Sequence, residues 1–171
     1  MSRTGQAPTL RYWAALPLRL IVGYGFIAHG YAKVMNGPDR FAASLHTLGV
    51  PAAHAMAWVT IGLELAGGLA VLLGAWIPLV SVPLAAILLV AAVTVHLPYG
   101  FSSIKLREVT AEGPQFGPPG YETDLLYIAA LASLVLGGSG PVAVGQWRVE
   151  GHGIFTFLPG IPRRRRTSCS D

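Results

Sequence analysis

The sequence predicts an all-α protein, a transmembrane four-helix bundle with a short amphipathic interfacial helix after its first helix. Three observations carry this reading. Of the 171 residues, 53% are hydrophobic and only 12% charged, about half the charged share of an average soluble domain. The mean hydropathy is +0.54. Four apolar segments each run for about 20 residues, the length a helix rising 1.5 Å per residue needs to cross the hydrocarbon core.

The first segment spans roughly residues 12 to 32 and is apolar except for Arg19 and His29. Those two residues lie inside the apolar stretch and no small-x-small site follows, so it reads as a retained helix rather than a cleaved signal. Next comes NGPDRFAASLHTLGVP, in which Phe41, Leu45 and Leu48 recur at helical spacing between Gly37-Pro38 and Gly49. That pattern predicts a short amphipathic helix lying on the membrane surface. The second segment, AMAWVTIGLELAGGLAVLLG, carries one acid, Glu64. Little more than GAWIP joins it to the third, IPLVSVPLAAILLVAAVTVHL, so the two predict a tight antiparallel hairpin. Pro78 suits a first helical turn, whereas Pro83 predicts a kink. A polar connection from Pro98 to Glu122 ends in GPQFGPPGYE, which reads as a rigid loop. The fourth segment begins near Thr123, and its strong apolar run stops at Leu136, before Gly137 and Gly138.

These boundaries give an N-terminal tail over residues 1–10, a membrane domain over 11–146 and a basic C-terminal tail over 147–171. Arg3, Arg11, Arg148 and the run Arg163 to Arg166 lie on the side of the termini, against Lys33, Arg40, Lys105 and Arg107 on the other. The balance of Lys and Arg therefore predicts a multi-pass protein with both termini cytoplasmic. The net charge of +4 comes with no aromatic platform or basic face, which excludes nucleic acid and leaves the lipid bilayer as the basic tail's partner. The one cysteine, Cys169, excludes an intramolecular disulfide, a Cys-based metal site or covalent haem, and no metal is predicted.

Glu64 lies about ten residues into the second helix, roughly 15 Å deep, and Arg19 about eight into the first from the opposite face. A buried charge costs several kcal/mol unless paired or neutralised, so the two predict a structural ion pair. A role for Glu64 as a proton acceptor stays open beside it. Gly62, Ala66 and Ala70 repeat every fourth residue and predict a close-packed helix seam. A second group gathers at the membrane edge from different helices: Lys33, with His29 one turn before it, then His96, Tyr99, Glu122 and Asp124. Lys33, His96, Glu122 and Tyr99 are the candidate binding residues, and Glu64 and His96 the candidate catalytic ones. Snorkelling of Lys33 and a favourable acid at a helix N-terminus are the structural readings of the same residues. His29 and His96 also match, weakly, the axial pair of a b-type haem, which is not expected here.

In LRLIVGYGFIAHGYAK, the residues Arg19, Gly23, Phe26, Gly30 and Lys33 resemble the first helix of the DoxX family of bacterial membrane proteins. FAASLHTLGVP, IGLELAGGLAVLLG with Glu64, VTVHLPYGF with His96, and GYETDLLYIAALASLVLGGSG with Glu122 resemble the family's later elements, in order, over roughly residues 15 to 145. The resemblance implies an inner-membrane protein of four helices. It also implies a part in thiosulfate:quinone or thiol-linked oxidoreductase complexes.

The expected function is thus a membrane subunit of a quinone-linked oxidoreductase, with quinone as the implied cofactor and a redox partner protein or a homo-oligomer as its assembly. No flavin fingerprint or Cys cluster is present, so electrons must come from a partner, and autonomous enzymatic activity is an open question. A non-catalytic scaffold that recruits partner proteins is the alternative, and a proton-coupled or small-solute carrier a third reading.

Overall fold

The computed structural model describes residues 13–140 and 142–144. The tails at 1–10 and 147–171, with Arg3, Arg11, Arg148 and the run Arg163 to Arg166, lie outside the described residues. Among the described residues five α-helices follow in order: α1 (Ala15–Met35), α2 (Pro38–Thr47), α3 (Ala53–Leu73), α4 (Ile77–Ala91) and, after a two-stranded hairpin, α5 (Glu122–Gly137). The hairpin strands are β1 (Leu106–Thr110) and β2 (Gly113–Phe116).

Two helical stretches, Ala53–Leu73 and Ile77–Tyr99, are long and apolar enough to cross a membrane. The other two expected spans fall short of that measure for different reasons. In α1, Arg19, His29 and Lys33 dilute 21 residues of sufficient length. α5 ends after 16 residues at Gly137, about 24 Å at 1.5 Å per residue, and Gly138 follows with a φ of 83°. Among the described residues, membrane-spanning length and apolarity are thus met by two of the four expected spans, and the early stop of the fourth agrees with its apolar run ending at Leu136.

The fold is mainly helical but not wholly so. The connection read as a rigid loop contains the antiparallel pair β1–β2, with Leu106 opposite Phe116 and Thr110 opposite Gly113. The β-branched pair Val109-Thr110 favours extension, and Gly113 takes a φ of 122° that only glycine adopts without strain. Pro78 sits in the first turn of α4, as expected, and the helix runs on through Pro83. It then widens into a π-helical turn over Ala92–His96 and closes with a 3-10 turn over Leu97–Tyr99. Such widened turns recur at functional sites because they rotate one side chain out of helical phase.

The seam between α1 and α3 sets the register. A Cβ on Gly23 would lie 2.8 Å from the Gly68 carbonyl oxygen, and one on Gly68 would lie 2.9 Å from the Gly23 carbonyl oxygen. The backbones therefore touch. Gly62, Ala66 and Ala70 are not that seam. Gly62 and Ala66 are exposed, and nothing lies within 4 Å of a Cβ placed on Gly62. The adjoining stripe of Ile61, Glu64, Gly68 and Val71 is the buried one, because it meets Gly23 and Gly30 of α1.

The core of Val22, Phe26, Val71, Ile77, Leu84, Leu131 and Leu134 fills the half of the bundle toward Arg19. Arg19 is 2% exposed. Its Nε donates to the Val71 carbonyl (3.3 Å), its Nη2 to those of Leu72 (2.8 Å) and Val142 (3.4 Å), and its Nη1 to that of Ser139 (3.0 Å). Val71 and Leu72 lie in the last turn of α3, where carbonyls lack helical partners and the dipole favours a cation. Arg19 thus ties α1, the end of α3 and the segment after α5 into one node.

Gly23→Leu is expected to destabilise the protein by about 1–3 kcal/mol or more, as overpacking of a closed interface does. Gly62→Ala should leave the melting temperature unchanged or raise it. Thermal unfolding of both variants in detergent checks the pair.

Candidate functional site

Helix phase and register decide which polar groups meet. α1 and α3 run antiparallel, and the contact of Gly23 with Gly68 and Leu72 carries Gly30 to Glu64, whose Cβ would lie 3.2 Å from a Cβ on Gly30. One turn further, Lys33 Nζ donates to Glu64 Oε1 in a close ion pair. The Glu64 side chain is 5% exposed and that of Lys33 24%, so the acid is sealed in the bundle while the amine reaches its end. Lys33 Nζ also lies 4.7 Å from the centroid of the Phe41 ring, a cation–π contact supplied by α2. Glu64 Oε2 is buried and takes no hydrogen bond among the described residues.

The expected Arg19–Glu64 pair is corrected by this register. The Gly23–Gly68 contact places Arg19, four residues before Gly23, beside Leu72, about two turns from Glu64. Antiparallel packing then sets it against the end of α3, where its guanidinium bonds carbonyls. Lys33, expected in a binding cluster, is the partner of Glu64.

The second pair joins α4 and α5. His96 Nδ1 lies 2.5 Å from Asp124 Oδ2, with the His96 side chain 25% exposed and that of Asp124 7%. The π-helical turn carries His96 and the first turn of α5 carries Asp124. An imidazole held through Nδ1 by a carboxylate presents Nε2 as the atom that takes or gives a proton.

Glu122, expected among the binding residues, accepts the Ser103 N–H at its Oε2 (3.0 Å). It fastens the neck of the hairpin loop. Asp124 holds the position beside His96 instead. The signal for it lies in helix phase: Asp124 precedes Leu131 by seven residues and Leu134 by ten, and all three are buried on one face of α5. Glu122 is off that face. Tyr99 ends the α4 segment and is exposed. His29 lies on an exposed part of α1, whereas His96 is half-buried and bonded through Nδ1 to Asp124. His54 Nε2 pairs with Asp39 Oδ1 at 3.1 Å on the surface. Among the described residues no three His, Cys, Asp or Glu side chains gather as a metal site.

The polar groups expected as one constellation are therefore two acid–base pairs on two helix pairs, both at the end of the bundle where α1 and α4 finish. Each buries its acid and leaves its base partly open to that end. Removing one partner of such a pair strands a buried charge, at about 3–5 kcal/mol. Lys33→Met should lower stability by that order, and Lys33→Met with Glu64→Met should restore much of it. Denaturation of the single and double variants in mild detergent measures the difference.

Comparison with known proteins returns no curated relative and no solved structure that matches the chain. The family model described as DoxX matches residues 14–97, from the start of α1 to just past His96. That span carries Arg19, Lys33, Glu64 and His96, while Asp124 and the hairpin lie beyond it. Residues 14–97, just under half of the chain, match the DoxX family, and that match supports membership of it.

Proposed function

We propose that this protein is a multi-pass inner-membrane protein serving as the membrane subunit of a quinone-linked oxidoreductase complex, with His96 and Asp124 as its proton-handling pair. The observation that carries this is the His96–Asp124 contact: a buried carboxylate orients an imidazole at one end of an apolar bundle. A proton-coupled reaction of a lipid-soluble substrate needs a base at the membrane edge, reachable from both lipid and water.

Aromatic placement supports the multi-pass part of the reading. Trp13 and Tyr31 are exposed toward the two ends of α1, and Trp58 and Trp76 toward the two ends of α3. The stretch from Trp58 to the end of α3 at Leu73 rises about 22 Å at 1.5 Å per residue, with Trp76 in the turn beyond it, near the hydrocarbon thickness of roughly 30 Å between two interfacial aromatic belts. Leu79, Val82, Leu89, Val90 and Val93 stay largely exposed on α4, a surface suited to lipid rather than water. In this reading both termini are cytoplasmic and the Lys33 end faces outward.

The available donors fit a quinone head group: the His96 imidazole and the exposed Tyr99 hydroxyl lie at the same helix end. When bound, a quinone supplies a two-electron, two-proton acceptor, and its electrons come from a partner redox protein. His96 delivers one proton from Nε2 and is reprotonated from water at its exposed edge. Asp124 stabilises the imidazolium before each delivery and holds the neutral ring through Nδ1 after it, and the other proton enters from solvent. Lys33 and Glu64 stay paired and hold the bundle in register.

A scaffold without chemistry is the second reading. It is favoured by Arg19, whose hydrogen bonds to four carbonyls are structural. The carrier reading drew on an isolated mid-depth acid, and Glu64 is paired.

His96→Ala and Asp124→Asn should each slow quinone reduction by the assembled complex, on the order of 100-fold for loss of a positioned acid–base group. Glu122→Gln should leave the rate within a few-fold. Equal activity of all three variants at wild-type protein levels would favour the scaffold.

A further inference from the structure

Between α4 and α5 the chain builds a hairpin that no other described element covers. β1 is exposed throughout, and β2 in all but Gly113. Ile104, Leu106, Val109 and Phe116 are 77%, 58%, 73% and 58% exposed. A lone two-stranded hairpin is marginal in water, and such apolar surface calls for something to cover it.

The base of the hairpin is nonetheless fixed to the bundle. The N–H groups of Gly120, Tyr121 and Glu122 donate to the carbonyls of Ser102, Gly100 and Phe101. The Ser103 hydroxyl bonds that of Thr123 at 2.8 Å, and the Phe101 and Tyr121 rings meet edge to face at 5.6 Å. The neck therefore holds the strands beside the ends of α4 and α5.

The exposed apolar surface continues from those helix ends into the hairpin. Val93, Val95 and Leu97 lead to Tyr99 and Phe101, then to Ile104 and Leu106, while Leu125 and Leu126 open α5 beside them. The hairpin's charged residues, Lys105, Arg107, Glu108 and Glu112, balance in sign, so no strongly charged partner is favoured. Interleaved long cations, apolar residues and aromatics are the composition of a segment at the headgroup level, where Lys and Arg stems lie along lipid and their charges reach the phosphates.

We propose that the hairpin lies in the headgroup–acyl boundary of the leaflet at the Lys33 end, with Ile104, Leu106, Val109 and Phe116 in contact with lipid. The occupant of this surface is the bilayer itself, an extension of the lipid-facing side of α4. This rests on the multi-pass reading above.

The test uses the full chain in nanodiscs of phosphatidylcholine and phosphatidylglycerol. In a Cys169→Ser background, an environment-sensitive dye is attached at Val109→Cys, at Ile104→Cys or, as a reference within the membrane, at Leu89→Cys. Nitroxide lipids and aqueous iodide serve as quenchers. The expected result is a blue-shifted emission at Val109 and Ile104, quenched by lipid nitroxide near the headgroup, with iodide quenching severalfold weaker than for free dye. Full iodide quenching at both hairpin sites, with Leu89 quenched by lipid, would overturn the proposal while sparing the multi-pass reading. Protection from both quenchers would place a protein there instead and would also overturn it. Loss of lipid quenching at Leu89 as well would overturn the membrane-spanning reading itself.

Discussion

The backbone contact between Gly23 and Gly68 is the constraint from which the rest of the arrangement follows. Two helices that touch at their main chains cannot slide by a turn, because any side chain entering the contact would meet backbone atoms at 2.8–2.9 Å. Without a hydrophobic driving force between helices in lipid, such close packing supplies much of the association energy. It also sets what each charge meets. Arg19 falls against the carbonyls that end α3, and Lys33 against Glu64. Both charges are satisfied by the same register, and a shift by one turn would strand both.

The bundle divides into two unlike halves. Large apolar side chains, from Val22 and Phe26 to Leu131 and Leu134, fill the Arg19 half. Toward the Lys33 end the buried residues are smaller, Ala42, Ala57 and Ala92 with Ile61, and there the two buried acids are found. Stability is concentrated at one end and acid–base chemistry at the other. This separation lets the Lys33 end carry ionisable pairs without weakening the packed core, and α2 closes over Lys33 through Phe41.

Much of this was legible in the sequence because apolar length and helix punctuation are strong signals. Helix positions, the short α2 and the tight α3–α4 hairpin follow from them, while the family resemblance rests on particular residues such as Arg19, Gly23, Lys33 and Glu64. Pairing was less legible. Depth counted along each helix put Arg19 level with Glu64, whereas the Gly23–Gly68 register sets Arg19 against Leu72 and brings Lys33 to Glu64. The seam was misplaced because Gly62, Ala66 and Ala70 repeat as regularly as the true stripe, and only the glycines of the facing helix distinguish them. Asp124 was visible through its phase with Leu131 and Leu134, yet Glu122 drew attention as the first acid of the helix. The β-hairpin was hidden by a connection rich in Gly and Pro, in which two short strands leave little periodicity to read.

At the Lys33 end, the carboxylate that holds His96 is Asp124 rather than Glu122. Nitrogen NMR of histidine-labelled protein in nanodiscs tests it most directly, with His96 assigned by its loss in His96→Ala. The account predicts a His96 imidazole whose Nδ1 carries a strongly hydrogen-bonded proton, a signature that disappears in Asp124→Asn and persists in Glu122→Gln. A His96 protonated only at Nε2, or a spectrum unchanged by Asp124→Asn, would contradict it.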